Sequence, residues 1–115
     1  MTTLFRDLLA PLTRQRAVLG CMVVGESDGL IIDSTLQVGV HGEAVAALAA
    51  SLFRKARLSA QAAGLGSVGF LRLEAADGHV CAAGRHDLVI IAVAEARVNI
   101  GLLRAAMLRA AETLS

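Results

Sequence analysis

Tryptophan and tyrosine are absent, and phenylalanine occurs three times in 115 residues. The aromatic platforms on which single-stranded nucleic acids stack are therefore missing. Eleven basic residues balance ten acidic ones, a net charge of +1, so no basic footprint for nucleic acid is present either. Lysine is nearly missing as well. Lys55 is the only one, and it belongs to no G-x-x-x-x-G-K-[ST] run, which excludes a phosphate-loop kinase or GTPase. Cysteine is scarce: Cys21 and Cys81 stand apart in long apolar segments, which suits buried thiols better than a disulfide scaffold. Together with His41, His79 and His86 they form no C-x-x-C or H-x-x-x-H spacing, so neither a metal nor another cofactor is expected. The longest apolar helical stretch, Ala44 to Phe53, ends at Arg54, Lys55 and Arg57. It is well short of the roughly 20 residues that span a bilayer. The N-terminus has no basic region followed by an apolar run and a cleavage site, so the sequence predicts no membrane insertion, no export and a cytoplasmic location.

What the chain has in excess is apolar surface. Hydrophobic residues make up 56%, and 11 glycines lift the apolar-plus-glycine share to about 65%, against roughly 45–50% in an ordinary soluble domain. A single core of this size cannot hide so much. Self-association or a permanent partner is the expectation.

Leu4, Phe5, Leu8, Leu9 and Leu12 recur at helical spacing between Thr3 and about Arg16, with Pro11 expected to kink or split that helix. Val18 to Gly25 is apolar and β-branched, meets Ser27-Asp28-Gly29, and continues as Leu30 to Ser34. Asp-Gly between two such runs predicts a hairpin in which both turn residues take positive φ. After a loop from Thr35 to Gly42, Glu43 to about Ala63 forms the longest predicted helix, with Val45, Leu48, Ala49, Leu52 and Ala56 as its stripe. Gly64 fits the position just past its end. A third strand is expected over Val68 to Ala75, then an Asp77-Gly78 hairpin and a fourth strand, Val80 to Gly84. Leu88 to Ala94 is an unbroken apolar run, as in a strand covered on both faces. Asn99 is placed to cap a last helix carrying Ile100, Leu103, Met107, Ala110 and Leu114.

The order α-β-β-α-β-β-β-α implies an α+β domain in three layers, α/β/α, around a five-stranded antiparallel sheet. That order also decides Gly64-Leu65-Gly66-Ser67-Val68-Gly69, which matches G-x-G-x-x-G. Dinucleotide sites need a strand before the glycines and a helix after them. Here the order is reversed, so the segment reads as a glycine-rich connection.

Three features invite a chemical reading. His79 lies two residues from Cys81 on one strand face, the spacing of a base beside a thiol, but no third group in the sequence orients the imidazole. Arg54, Lys55 and Arg57 are either a solvated helix face suited to the helix dipole or a docking surface for an acidic partner. Ala46, Ala47, Ala49, Ala50 and Ser51 allow close packing on the sheet, close approach of a second helix, or both.

Val18-Leu19-Gly20-Cys21-Met22-Val23-Val24, Asp28-Gly29-Leu30-Ile31-Ile32, the alanine-rich helix, Gly64-Leu65-Gly66 and Asn99-Ile100-Gly101-Leu102-Leu103-Arg104 together resemble the Roadblock family. That family includes a dynein light chain and bacterial regulators of Ras-like GTPases, and the resemblance covers nearly the whole chain as a single domain, residues 1–115. It implies a profilin-like or longin-like fold and a homodimer. Third strands would pair edge to edge at Phe70, Leu71, Arg72, Leu73 and Glu74, with the long helices side by side at Ala47, Ala50 and Ser51. Pairing would also protect an edge that otherwise templates aggregation. The resemblance further implies a helix platform at Glu43, Ala46, Ala50, Arg54, Lys55 and Arg57 that binds a Ras-like small GTPase. Such a module is not itself an enzyme; it can stimulate hydrolysis by positioning the GTPase's own groups, without an arginine finger. The alternatives are a scaffold subunit of a larger or motor-associated complex without GTPase control, and a small-molecule enzyme built on Cys81 and His79.

Overall fold

The computed structural model describes residues 5–114, so Thr3 and Leu4, at the expected start of the first helix, lie outside the described residues. The elements follow the expected order: α1 (Arg6–Thr13), β1 (Val18–Gly25), β2 (Ile31–Leu36), α2 (Gly42–Ala62), β3 (Leu71–Ala75), β4 (Gly78–Arg85), β5 (Leu88–Glu95) and α3 (Ile100–Glu112). The strands form one antiparallel sheet in the order β2-β1-β5-β4-β3.

Alternation along the central strands divides the interior into two cores. Met22, Val24, Ala82, Val89 and Ile91 point toward α2, where they meet Ala46, Ala49, Ala50 and Phe53. Cys21, Val23, Cys81, Ala83, Ile90 and Ala92 point the other way, against Leu9 and Leu12 of α1 and Leu103 and Met107 of α3. β5 is accordingly covered on both faces, as its unbroken apolar run predicts. Asn99 caps α3, its Oδ1 accepting from the Leu102 amide at 3.0 Å. Gly64 takes φ +74 just past α2, and the Leu65 and Gly64 amides donate to the Ala60 and Gln61 carbonyls, closing the helix by the double-bonded glycine cap.

Several local expectations are corrected. α1 is shorter than its leucine pattern suggested and runs through Pro11 unsplit. Pro11 can deprive only Asp7 of an amide partner in so short a helix, and the burial of Leu9 and Leu12 holds it in place. β2 begins one residue later and ends two later than expected, and β3 begins at Leu71 rather than Val68. Both Asp-Gly pairs do mark hairpins, but neither has positive φ at both residues. In the first, only Gly29 is left-handed, and Asp28 Oδ1 accepts from the Leu30 amide at 3.0 Å. In the second, Ala76 and Asp77 turn with ordinary φ. The doubly left-handed turn lies instead at His86 (φ +54) and Asp87 (φ +65), between the paired residues Arg85 and Leu88. That conformation matches the right-handed twist of its strands, and Asp and His are among the side chains that best tolerate it.

Candidate functional site

α2 lies along one face of the sheet. Its seat is Ala46, Ala49, Ala50 and Phe53, so the helix is rotated from the expected stripe and Leu48 is 45% exposed. One contact behind this seat is invisible to periodicity. An alanine-rich helix has little preference between its faces, and the Phe53 ring lies against Gly84, where an added Cβ would sit 2.5 Å from the ring. Ala46 and Ala50, expected on the partner-facing and dimer-facing surfaces, are thus buried at 0% and 1% exposure against the sheet. Ala44, Ala47, Leu48, Lys55 and Leu58 occupy the outer face, with Ser51 half-buried and Glu43 exposed in the first turn.

The basic cluster divides. Arg57 Nε donates to both carboxylate oxygens of Glu26, at 3.1 and 3.2 Å, and its Nη2 donates to Oε1. Glu26 is 7% exposed, and its own amide donates to the Asp87 carbonyl at 2.8 Å. The hydrogen bond and charge of Glu26 hold the Arg57 guanidinium still more firmly protonated than usual. Arg54 Nη1 donates to the Ser27 carbonyl at 3.1 Å. Two of the three cations therefore fasten α2 to the β1–β2 turn, and Lys55 alone of the three makes no hydrogen bond or ion pair among the described residues. Glu26 was missed in the sequence. Its one signal is an acid at the end of an apolar strand, which is common in turns.

β3 is an edge strand with Arg72, Leu73, Glu74 and Ala75 exposed. Leu71 and Leu73 lie opposite Ala82 and Val80, which places them on the α2 side of the sheet; Arg72 and Glu74, opposite Cys81 and His79, lie on the α1/α3 side. Arg72 and Glu74 form an exposed ion pair at 3.4 Å within the strand.

A Roadblock/LC7 domain model matches residues 4–95, about four-fifths of the chain. The chain belongs to the Roadblock/LC7 family. Two uncharacterized Methanocaldococcus jannaschii proteins, MJ1340 and MJ0310, are 34% and 33% identical to this Roadblock chain over 107 residues, 93% of each partner in both comparisons. Among solved structures, a Roadblock/LC7 domain from Streptomyces avermitilis superposes with a TM-score of 0.82 at 16% identity, covering 94% of this chain and 92% of that one. Myxococcus xanthus MglB superposes at 0.81 with 19% identity, covering 96% and 90%. Acanthamoeba castellanii profilin II follows at 0.61 with 17% identity, covering 96% and 93%, which places the Roadblock fold beside the profilin fold.

Within this Roadblock domain the remaining sequence candidates separate. Phe70 precedes β3 and packs on the α1/α3 core, with the Arg104 guanidinium 5.8 Å from its ring centroid, so it is not part of the edge strand. His79 is buried, and Nε2 faces the Ala96 carbonyl at 3.2 Å, the orienting partner that the sequence had not supplied. Cys81 has 0% exposure, and burial pushes its thiol up to about 11, with the Arg72 charge opposing the shift. Burial likewise pushes Cys21 up to about 12. Burial and a neutral thiol both oppose the Cys81–His79 enzyme reading. Cys21 and Cys81 both flank Ala92 from opposite sides. Two strand spacings, about 9.6 Å, separate their backbones, beyond disulfide reach.

Proposed function

We propose that this Roadblock domain is a homodimeric interaction module that binds a Ras-like small GTPase, consistent with its fold likeness to MglB structures. The observation that carries the reading is the pairing of two unsatisfied surfaces on one side of the sheet. The outer face of α2 exposes Leu48 and Leu58 among small residues, and Leu73 stands on the open β3 edge. A second copy on the β3 edge completes the sheet and brings two α2 helices onto one broad face, which then receives the GTPase. Glu43 and Lys55 supply polar contacts at the rim, whereas Ala47 and Ser51, which the resemblance assigns to the helix–helix contact, line with Arg54 a cleft against the chain's own β1–β2 turn. Arg54 and Arg57 are engaged by the chain's own β1–β2 turn, so any stimulation of hydrolysis works through the GTPase's own groups.

Light scattering is expected to give twice the chain mass at micromolar concentration. Capture of small GTPases loaded with GTP or with GDP is expected to depend on the nucleotide, and Leu48→Glu with Leu58→Glu is expected to abolish capture while leaving the dimer intact. Copurification with partners that include no GTPase supports the scaffold reading instead and overturns this one.

A further inference from the structure

We propose that the cleft where β3 parts from β4 binds a small organic anion, a molecule with a carboxylate or phosphate at one end and a flat apolar body.

Strand pairing creates the cleft. Ala75 and Gly78 are paired across a two-residue connection, which makes them a hydrogen-bonded pair, and such pairs recur at Leu73 with Val80 and Leu71 with Ala82. The backbone groups of Arg72 and Glu74 thus face the outer edge. The next bonded pair would join Gly69 to Gly84, but the ladder ends at Leu71. Gly84 has no second choice. The β4–β5 turn closes on Arg85 and Leu88, which gives β5 the backbone groups of Arg85 and Ala83 and leaves those of Gly84 toward the missing pair. Across the gap, the amides of Ser67, Val68 and Gly69 donate to no backbone acceptor among the described residues. Backbone groups left open in this way take their partners from outside the chain.

The gap opens into a cleft of about 490 Å³, a size typical of small-molecule sites. Its floor is apolar. The Phe53 ring fills the space that Gly84 leaves, and Val68 joins it in the lining. Charge is unevenly matched around the rim. Arg57 is held by the buried Glu26, and Asp87 also lies near enough to favour the Arg57 charge. Arg85, by contrast, makes no ion pair among the described residues. Its Nε donates to His86 Nε2 at 3.3 Å, so that ring nitrogen is the acceptor and the imidazole proton sits on Nδ1, a further donor. A free guanidinium, an imidazole N–H and open amides therefore line a cleft whose buried carboxylate is already taken. Carboxylates and phosphates complement such a donor set, Arg above all. An apolar body on the same molecule covers the floor, which an inorganic ion cannot do.

Amide NMR spectra of the whole chain locate binding directly. The probes 2-naphthoate and 2-naphthyl phosphate are expected to give saturable shifts at Ser67 to Gly69 and at Gly84 to Asp87. Whichever binds more tightly tells a carboxylate site from a phosphate site. The uncharged 2-naphthylmethanol is expected to bind at least about tenfold more weakly than the better anion. Arg85→Gln is expected to weaken that anion about tenfold and to leave 2-naphthylmethanol unchanged. Val68→Trp fills the floor and is expected to block all three probes. Amides far from the cleft check that each variant folds. Arg85 is exposed, so the Arg85→Gln comparison decides alone if Val68→Trp does not fold. Four results overturn the proposal: no saturable shift at the cleft by about 10 mM probe, a neutral probe that binds as tightly as the anions, anion binding unchanged by Arg85→Gln, or binding that survives in a folded Val68→Trp protein.

Discussion

Adding one methyl group at Gly84 tests what seats α2 on the sheet. A Cβ there would lie 2.5 and 2.8 Å from two Phe53 ring carbons and 3.1 Å from the Leu88 carbonyl oxygen. Ordinary carbon contacts are about 3.5–4.0 Å, so the ring must retreat by about 1 Å. Phe53 is 2% exposed and belongs to the cluster of Met22, Val24 and Ile91, so a retreat toward the cleft that it and Gly84 line with Arg57 and Val68 disturbs that packing. Overpacking of this kind costs about 1–3 kcal/mol. For a domain of this size about 2 kcal/mol lowers the melting temperature by about 8 °C. Urea unfolding of Gly84→Ala gives the free energy, and its combination with Phe53→Leu gives the coupling. The smaller side chain makes room for the methyl group, so the double variant is expected to be more stable than the sum of the two changes by about 1 kcal/mol. A Gly84→Ala protein within about 0.5 kcal/mol of the parent, or strict additivity, refutes the claim that this contact sets the helix position. Because the ring anchors the outer α2 face as well, GTPase capture is expected to weaken in Gly84→Ala and to recover with Phe53→Leu.

Ala17 holds φ +72, a conformation that costs a side chain about 1 kcal/mol, so Ala17→Gly is expected to raise stability by a few tenths to about 1 kcal/mol in thermal unfolding. Asn99→Ala removes the cap of α3 and is expected to lower stability by about 1 kcal/mol in the same assay. Iodoacetamide is expected to label Cys21 and Cys81 in the native protein far more slowly than a free thiol, and fully once the chain is unfolded; rapid native labelling contradicts their enclosure. The raised thiol values also set a sign. The unfolded chain loses the thiol protons near pH 9 while the folded one keeps them to about 11 and 12. Stability is therefore full below pH 9 and falls as pH rises above it, and replacing both cysteines with alanine is expected to flatten that decline in urea titrations at pH 8 to 10.5.

Much of the molecule was legible in its order of residues because the decisive signals were local. The Asn99 cap and the Gly64 helix end each depend on a few neighbouring atoms, and the β5 run of Val89 to Ala92 can be satisfied only in the middle of a sheet. The misses share a different cause. Leu48 was expected inside and is half outside, because the rotation of α2 depends on a glycine more than thirty positions away. Arg57, read as part of either a solvated face or a docking surface, is held by Glu26, a pairing across 31 residues that no helical spacing encodes. Phe70 was expected within the third strand but precedes it and turns to the α1/α3 core, where the Arg104 guanidinium lies 5.8 Å from its ring centroid.

By itself the sequence determined the element order, the two-sided burial of the last strand and the apolar excess, since periodicity, capping and composition act over a turn or a strand at a time. Tertiary structure alone decided which face of α2 looks outward, which cations are already engaged and which backbone groups of β3 remain open. Those properties arise from contacts between segments distant along the chain, and they exist only once the sheet has brought the segments together.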